Sequence, residues 1–310
     1  MKTLSCFLAL ATLPFVALTA QAGVERTVEK TFNVQPGGTL RVETSGGGIR
    51  VESSNDSVVK VVATKKFRTS SDSAADEVEK RLTLSIEQQG SDIVATAKYE
   101  RDSFFEGSTP VYVNFVVTAP ASFAANLKTS GGNITVGDLG GEVRARTSGG
   151  SISLGKMGGE VDASTSGGNV SLESAAASVK AHTSGGNITV GRVAGEADLG
   201  TSGGNIKIES VANTLHASTS GGSVYAAIAG PLKGDCDLRT SGGSVTAVVD
   251  KGSAFQLDAS TSGGGVHADG LTITIDNGGA GRSRLSGAVN GGGPTLKLRT
   301  SGGSIHIKTR

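Results

Sequence analysis

Asp237 and Asp258 are the residues of this sequence best placed by spacing to do chemistry together. Each stands three positions ahead of a Thr-Ser-Gly-Gly tetrapeptide, so a structure that superposes those tetrapeptides sets the two carboxylates side by side. Paired carboxylates can share a proton or hold a hard cation through oxygen. The plainer alternative is two hydrated surface aspartates, and we favour it. The same position of other repeats holds Arg144, Asp162, Lys180, Asp198 and His216, whose charges alternate in sign from one repeat to the next. Such a row is either a charged binding stripe or a set of opposed neighbours that fixes strand register, at about 0.2–1 kcal/mol per pair. The second reading is the stronger. Phe104 and Phe105, set between Arg101-Asp102 and Glu106-Gly107, are a candidate contact pair in a polar loop. We favour a role in covering the small core of their own segment.

Other chemistries find no support. His182, His216, His267 and His306 fall in different repeats, and no H-E-x-x-H or close Cys/His spacing points to zinc. Asn277-Gly278-Gly279-Ala280-Gly281 has the look of a calcium-binding nonapeptide but lacks its aspartate and does not recur, so it is read as a turn. There is no G-x-S-x-G, P-loop or dinucleotide fingerprint. No catalytic residue, cofactor or metal is therefore expected. Asn-x-Ser/Thr triplets such as Asn133-Ile134-Thr135 are read as repeat corners before glycosylation sites.

What positions these residues is the repeat itself. Thr-Ser-Gly-Gly begins at Thr44, Thr129, Thr147, Thr165, Thr183, Thr201, Thr219, Thr240, Thr261 and Thr300. From Thr129 to Thr219 the interval is 18 residues; the next two are 21 and the last is 39. A period this short means stacked units, none able to bury its apolar face alone. After each glycine pair apolar residues alternate, as in Ile134-Thr135-Val136 and Ile206-Lys207-Ile208. A second alternating segment precedes each tetrapeptide, with inward columns Val143, Val161, Val179, Ala197, Leu215, Cys236, Leu257 and Ala145, Ala163, Ala181, Leu199, Ala217, Leu238, Ala259. Period two marks strands with one buried face. The fold class is all-β, a single-stranded parallel β-helix with coils of about 18 residues, ten of which would make a rod of roughly 45 Å.

The same parity turns the repeated Thr inward, its Ser outward, and gives the glycines a corner where the missing Cβ permits tight or left-handed turns. An inward Thr, one per coil, argues against an ice-binding face. Asn133, Asn169, Asn187 and Asn205, with Ser151, Ser223 and Ser244, form a candidate amide and hydroxyl ladder along that corner.

Residues 1–22 carry Lys2, an apolar run from Phe7 to Leu18, and Ala20-Gln21-Ala22, the pattern of a secretory signal peptide, so the mature chain is expected to begin near Gly23. Cys6 leaves with that segment, and Cys236 is then a single thiol with no internal partner. Charges nearly cancel, 29 basic against 28 acidic, which gives no case for a nucleic-acid partner, and no later transmembrane segment is expected. Gly at 47 of 310 residues is about twice ordinary usage and Trp is absent, which suits a narrow core.

The first coils occupy 23–53, and 125–310 form the main solenoid. Residues 54–124 interrupt the repeat as an inserted, mostly antiparallel β lobe, with strands at Val58–Thr64, Leu82–Gln88, Asp92–Tyr99 and Pro110–Val117 and one short helix from Ser71 to Leu82. The 39-residue interval reads as one or two irregular coils. His306, Lys308 and Arg310 would then blunt the open edge of the last coil, or seat a second copy there.

Phe32-Asn33-Val34-Gln35-Pro36-Gly37-Gly38-Thr39-Leu40, the recurring Ser-Gly-Gly-x-Ile/Val corners, and Asn290-Gly291-Gly292-Gly293 followed by a final Thr-Ser-Gly-Gly-Ser-Ile together resemble a known family. It is the bacterial adhesin-like β-strand-repeat family, a domain of unknown function related to head-domain auto-transporter adhesins. The resemblance implies a parallel β-helix in the cell envelope, in some relatives associated with envelope stress, and it brings no catalytic residues. The expected function is an exported, non-catalytic envelope scaffold, periplasmic, envelope-associated or secreted, that binds a protein or glycan. The alternatives are a polysaccharide-active lyase or hydrolase and a self-assembling solenoid.

Overall fold

A computed structural model describes residues 23–100 and 110–310. The alternating segments form two strands per coil. Strands that follow the glycine pairs stack into one sheet and strands that precede Thr-Ser-Gly-Gly stack into the other, 13 and 14 strands among the described residues. Registers are parallel through the regular coils: Ile152 faces Val170, then Ile188, Ile206 and Val224, with a one-residue shift only in the last pairing, between Ile208 and Val211. On the opposite sheet Val143 faces Val161, then Val179, Ala197, Leu215 and Cys236. Both columns point between the sheets and are buried, which makes one narrow continuous core of small and medium aliphatic side chains.

The tetrapeptide holds the corner by hydrogen bonds to the coil before it. Thr201 is buried; its hydroxyl donates to the Gly186 carbonyl at 2.9 Å and accepts from Gly204 N–H at 3.3 Å. Thr147, Thr165, Thr183 and Thr219 repeat the arrangement. The hydroxyl thus satisfies corner groups that would otherwise be buried without partners. The corner glycines are not left-handed: none of the repeated pairs has positive φ. Their reason is proximity. A Cβ on Gly204 would lie 2.8 Å from Asn187 N and closer still to the Gly186 carbonyl. The amide ladder exists as side chain to backbone: Asn187 and Asn205 N–H each donate to the Oδ1 of the Asn one coil earlier, at 2.8 and 2.7 Å.

At the N-terminal end the antiparallel strands and the helix are present, and they prolong the same two sheets. Asp92–Tyr99 runs parallel to Thr39–Thr44, and Val111–Pro120 parallel to Ile49–Ser54, so the first Thr-Ser-Gly-Gly coil has a neighbour on each side. Leu82–Gln89, Val58–Phe67 and Glu25–Asn33 then add antiparallel edges. The helix is shorter than its sequence suggests, Asp72–Glu79, because the chain already enters a strand at Leu82; Ser71 caps it through Ala74 N–H at 3.4 Å. Its Ala75 packs on Phe67 and Val111. Glu79 is bonded to buried Lys65 and to Arg26; the Lys65 bond, ahead of the Arg26 bond, holds its carboxyl below the usual range against the opposing effect of burial.

The C-terminal end departs from sequence order. The last coil, Thr295–Thr300 with Ile305–Thr309, lies between the coil of Cys236–Thr240 and Val245–Val249 and the coil of Phe255–Thr261 and Val266–Asp269. The 39-residue interval is an antiparallel hairpin, Ile273–Gly281 with Arg284–Val289, which carries the chain out beyond Phe255–Thr261 and back. Two expectations are corrected by this. His306, Lys308 and Arg310 blunt no open edge, because Ile305–Thr309 is paired on both sides, and for the same reason a second copy cannot seat on that strand. The outermost strand of its sheet is Val266–Asp269.

Candidate functional site

The last coil, lying out of sequence order, also separates Asp237 from Asp258. Lys297 stands opposite Asp237 on one side and Asp258 on the other. Each aspartate is tied to an arginine instead: Asp237 to Arg239 of its own strand, through both carboxylate oxygens, and Asp258 to Arg299. They do not form a pair able to share a proton or a cation. Like charges facing each other across a sheet repel, and Lys297 removes that contact while extending the alternation of sign.

The remaining members of the row are brought together. Arg144, Asp162, Lys180, Asp198 and His216 occupy successive strands in register on the outward face of the 14-stranded sheet. They line a shallow groove of about 560 Å³ whose other wall is the row entering the same strands, Glu142, Glu160, Ser178, Glu196 and Thr214. A smaller hollow of about 300 Å³ continues it past Arg144 to Asn126 and Arg41. The groove exists because Val161, Val179 and Ala197 turn their side chains into the core, while the two outward rows stand up on either side of them.

The ion pairs in the groove are not the straight cross-strand pairs the alternating signs suggested. Arg144 bonds Glu142 two positions back on its own chain at 2.6 Å. Asp162 is taken diagonally by Arg146 at 2.8 Å, and Asp198 lies 3.6 Å from His182. Long side chains reach diagonal neighbours as easily as facing ones, and exposed pairs are worth little in either geometry. Among the described residues Glu160, Lys180, Glu196 and His216 make no ion pair, so the groove offers both signs of charge to an incoming partner. All four are exposed.

Phe104 and Phe105 lie outside the described residues. The histidines are less scattered than their numbers suggest: His267 and His306 stack on the other sheet with ring centroids 5.2 Å apart. The inserted coil is the cause here too. Among the described residues no three His, Cys, Asp or Glu side chains converge on a common point. Cys236 is buried, and desolvation pushes its thiol up to about 11. At pH 8 a thiol reagent is therefore expected to modify Cys236 roughly 100-fold more slowly in the folded protein than in denaturant. Equal rates would show that the core opens at this coil.

No helix of the described residues is long and apolar enough to cross a membrane. A family model described as Toastrack DUF4097 matches residues 38–308. No curated protein matches the chain. Similar solved structures include a putative adhesin from Parabacteroides distasonis, 12% identical, covering 92% of this chain and 98% of that one with a TM-score of 0.37. A putative cell adhesion protein from Clostridium sporogenes is 11% identical, covering 92% of this chain and 100% of the other, with a TM-score of 0.24. A putative lipid binding protein, also from Parabacteroides distasonis, is 10% identical over 92% and 98%, with a TM-score of 0.27.

Proposed function

The chain belongs to the Toastrack DUF4097 family, and from that premise we propose that it is an exported, non-catalytic scaffold that holds a protein of the cell envelope along its charged groove. The observation that carries this reading is the groove over Arg144, Asp162, Lys180, Asp198 and His216, where unpaired groups of both signs recur once per coil. Two features favour a polypeptide over a glycan as the occupant. The mixed charge suits a segment with acidic and basic side chains, and the groove lining contains no Phe, Tyr or Trp ring on which a sugar could stack. The acids and bases of the groove are exposed or, at Asp162 and Asp198, half-buried, and are spread over several coils, which suits reversible binding and offers no enclosed reacting centre. Export rests on the leader-like residues 1–22 and places the mature N-terminus near Gly23. A part in the response to envelope stress belongs to the same reading, through loss or gain of the bound protein.

Crosslinking in intact envelope tests it. Lys180→Glu is expected to lower recovery of the crosslinked protein by about 10-fold, and raised salt to lower it further, because the contacts are exposed charges. Recovery that is indifferent to both, or a protein found free of any partner, overturns the proposal.

A further inference from the structure

The two ends of the solenoid are finished differently. At the N-terminal end the edge strand Glu25–Asn33 turns charges inward: Lys30 Nζ donates across to the Ile86 carbonyl at 2.8 Å, and Arg26 reaches Asp76 and Glu79 of the helix. Inward charges on an edge strand, with a helix packed beside it, prevent another sheet from adding there. At the C-terminal end neither a helix nor an inward charge of this kind covers the outermost strand, Ile273–Gly281, whose pairing is regular over Ile273–Ile275 and bulges between Ile275 and Ala280. There the 14-stranded sheet runs two strands further than its partner, because the hairpin Ile273–Gly281 and Arg284–Val289 extends it beyond the coil of Phe255–Thr261 and Val266–Asp269.

The inner face of this overhang is apolar. Ile273 continues the inward column of Phe255 and Val289, Ile275 that of Leu257 and Gly287, and Leu285 that of Ala259. Ile275 is 46% exposed, and Ile273, Leu285, Leu271, Val266 and Ala268 are only partly buried. Facing the overhang, where the other sheet stops, is a notch two strands deep. Its wall is the strand Val266–Asp269. Arg282 carbonyl takes Val266 N–H at 2.9 Å, while Ala268 N–H and C=O point outward, with no strand beyond them among the described residues.

We propose that a second copy of this chain fills the notch, giving a two-fold, end-to-end dimer. Turning a copy by 180° about an axis parallel to the strands exchanges the two sheets and preserves strand direction. Its overhanging hairpin then enters this notch, and this hairpin enters its notch. The depths agree at two strands each, so both sheets run on from one copy into the other. Strand polarity agrees as well. Ile273–Gly281 runs with Phe255–Thr261, opposite to Val266–Asp269, so the new seam is antiparallel on both sides, made by Ile273–Ile275 ahead of the bulge between Ile275 and Ala280. Such an interface is isologous and closes, using both sheet edges of the C-terminal end. It buries the half-exposed aliphatic layer twice over, and this self-matching shape is what commits the notch to a second copy.

Sedimentation equilibrium of the purified protein across a dilution series tests the proposal. The protein is expected to be a dimer, and Ile275→Lys, which puts a charge into the seam, to raise the dissociation constant by about 100-fold with an unchanged melting temperature for the monomer. Thr274→Lys changes the neighbouring outward position and is expected to leave the dimer intact. A protein monomeric at every concentration, or an Ile275→Lys protein that dimerises as well as the parent, overturns it; the first of these would leave the notch to a strand from another protein.

Discussion

Gly204→Ala is expected to destabilise the protein by roughly 3 kcal/mol or more, whereas Gly203→Ala, one residue away, is expected to change stability by less than about 1 kcal/mol. Composition cannot distinguish the two glycines, and neither has positive φ. The difference lies in the coil beneath. A Cβ on Gly203 would sit 3.3 Å from the Gly185 carbonyl oxygen, a contact that a small shift relieves. A Cβ on Gly204 would stand inside the Gly186 peptide, 2.8 Å from Asn187 N and nearer still to the Gly186 carbonyl carbon and oxygen. These atoms are backbone, so relief would require the coils to separate. Separation would lengthen the Thr201 hydroxyl bond to Gly186 and the Asn205 N–H bond to Asn187 together. Thermal denaturation of the two variants decides the matter, and equal losses would show that the corner is held by backbone conformation instead.

Removal of residues 295–310 is expected to have the other large effect, disordering the end of the solenoid from about residue 250 onward, while the coil of Cys236–Val249 keeps its pairing to the coil before it. This follows from where the last coil lies. Its strands pair on both sides, Leu296 with Cys236 and Leu257, and Ile305 with Val245 and Val266. Leu296, Leu298, Ile305 and Ile307 are fully buried, at about 2–5 kcal/mol for each such side chain lost from a core. Deleting an outermost coil would leave the rest standing, since a solenoid is stabilised mainly by contacts between neighbours. Deleting an internal one leaves a gap that the hairpin and the coil of Phe255–Asp269 cannot close without abandoning their registers. Limited proteolysis should then cut after about residue 250 while sparing the coils from Thr129 to Val249. A truncated protein whose residues 250–294 resist protease as the parent does would refute this arrangement.

The regular coils were legible because every consequence of the repeat is local. A strict alternation of apolar residues admits only one inward face, and a fixed interval stacks like on like. The columns from Val143 to Cys236 and the inward Thr could be read directly on that basis. Where the interval changes, the local pattern no longer says which coil lies next to which. Pairing Asp237 with Asp258, a C-terminal edge guarded by His306 and Lys308, and histidines scattered among coils all require order in space to follow order along the chain. One signal against it was present: the alternation of charge fails between Asp237 and Asp258 and is restored if Lys297 stands between them. The candidate groove was only half legible, since its row of residues follows from register while its ion pairs depend on which neighbour a long side chain reaches.

By itself, then, the sequence determined the two-strand coil, its parallel register and the buried hydroxyl at each corner, because a residue's parity and its place in an 18-residue period leave no choice of face. Tertiary structure alone decided the order in which coils stack at both ends, the unequal lengths of the two sheets and the notch between them. Parallel coils with like inward columns can pair with any similar neighbour, so the period does not say which coil sits next to which. That choice is made where a hairpin carries the chain past one coil and returns it to fill the space behind.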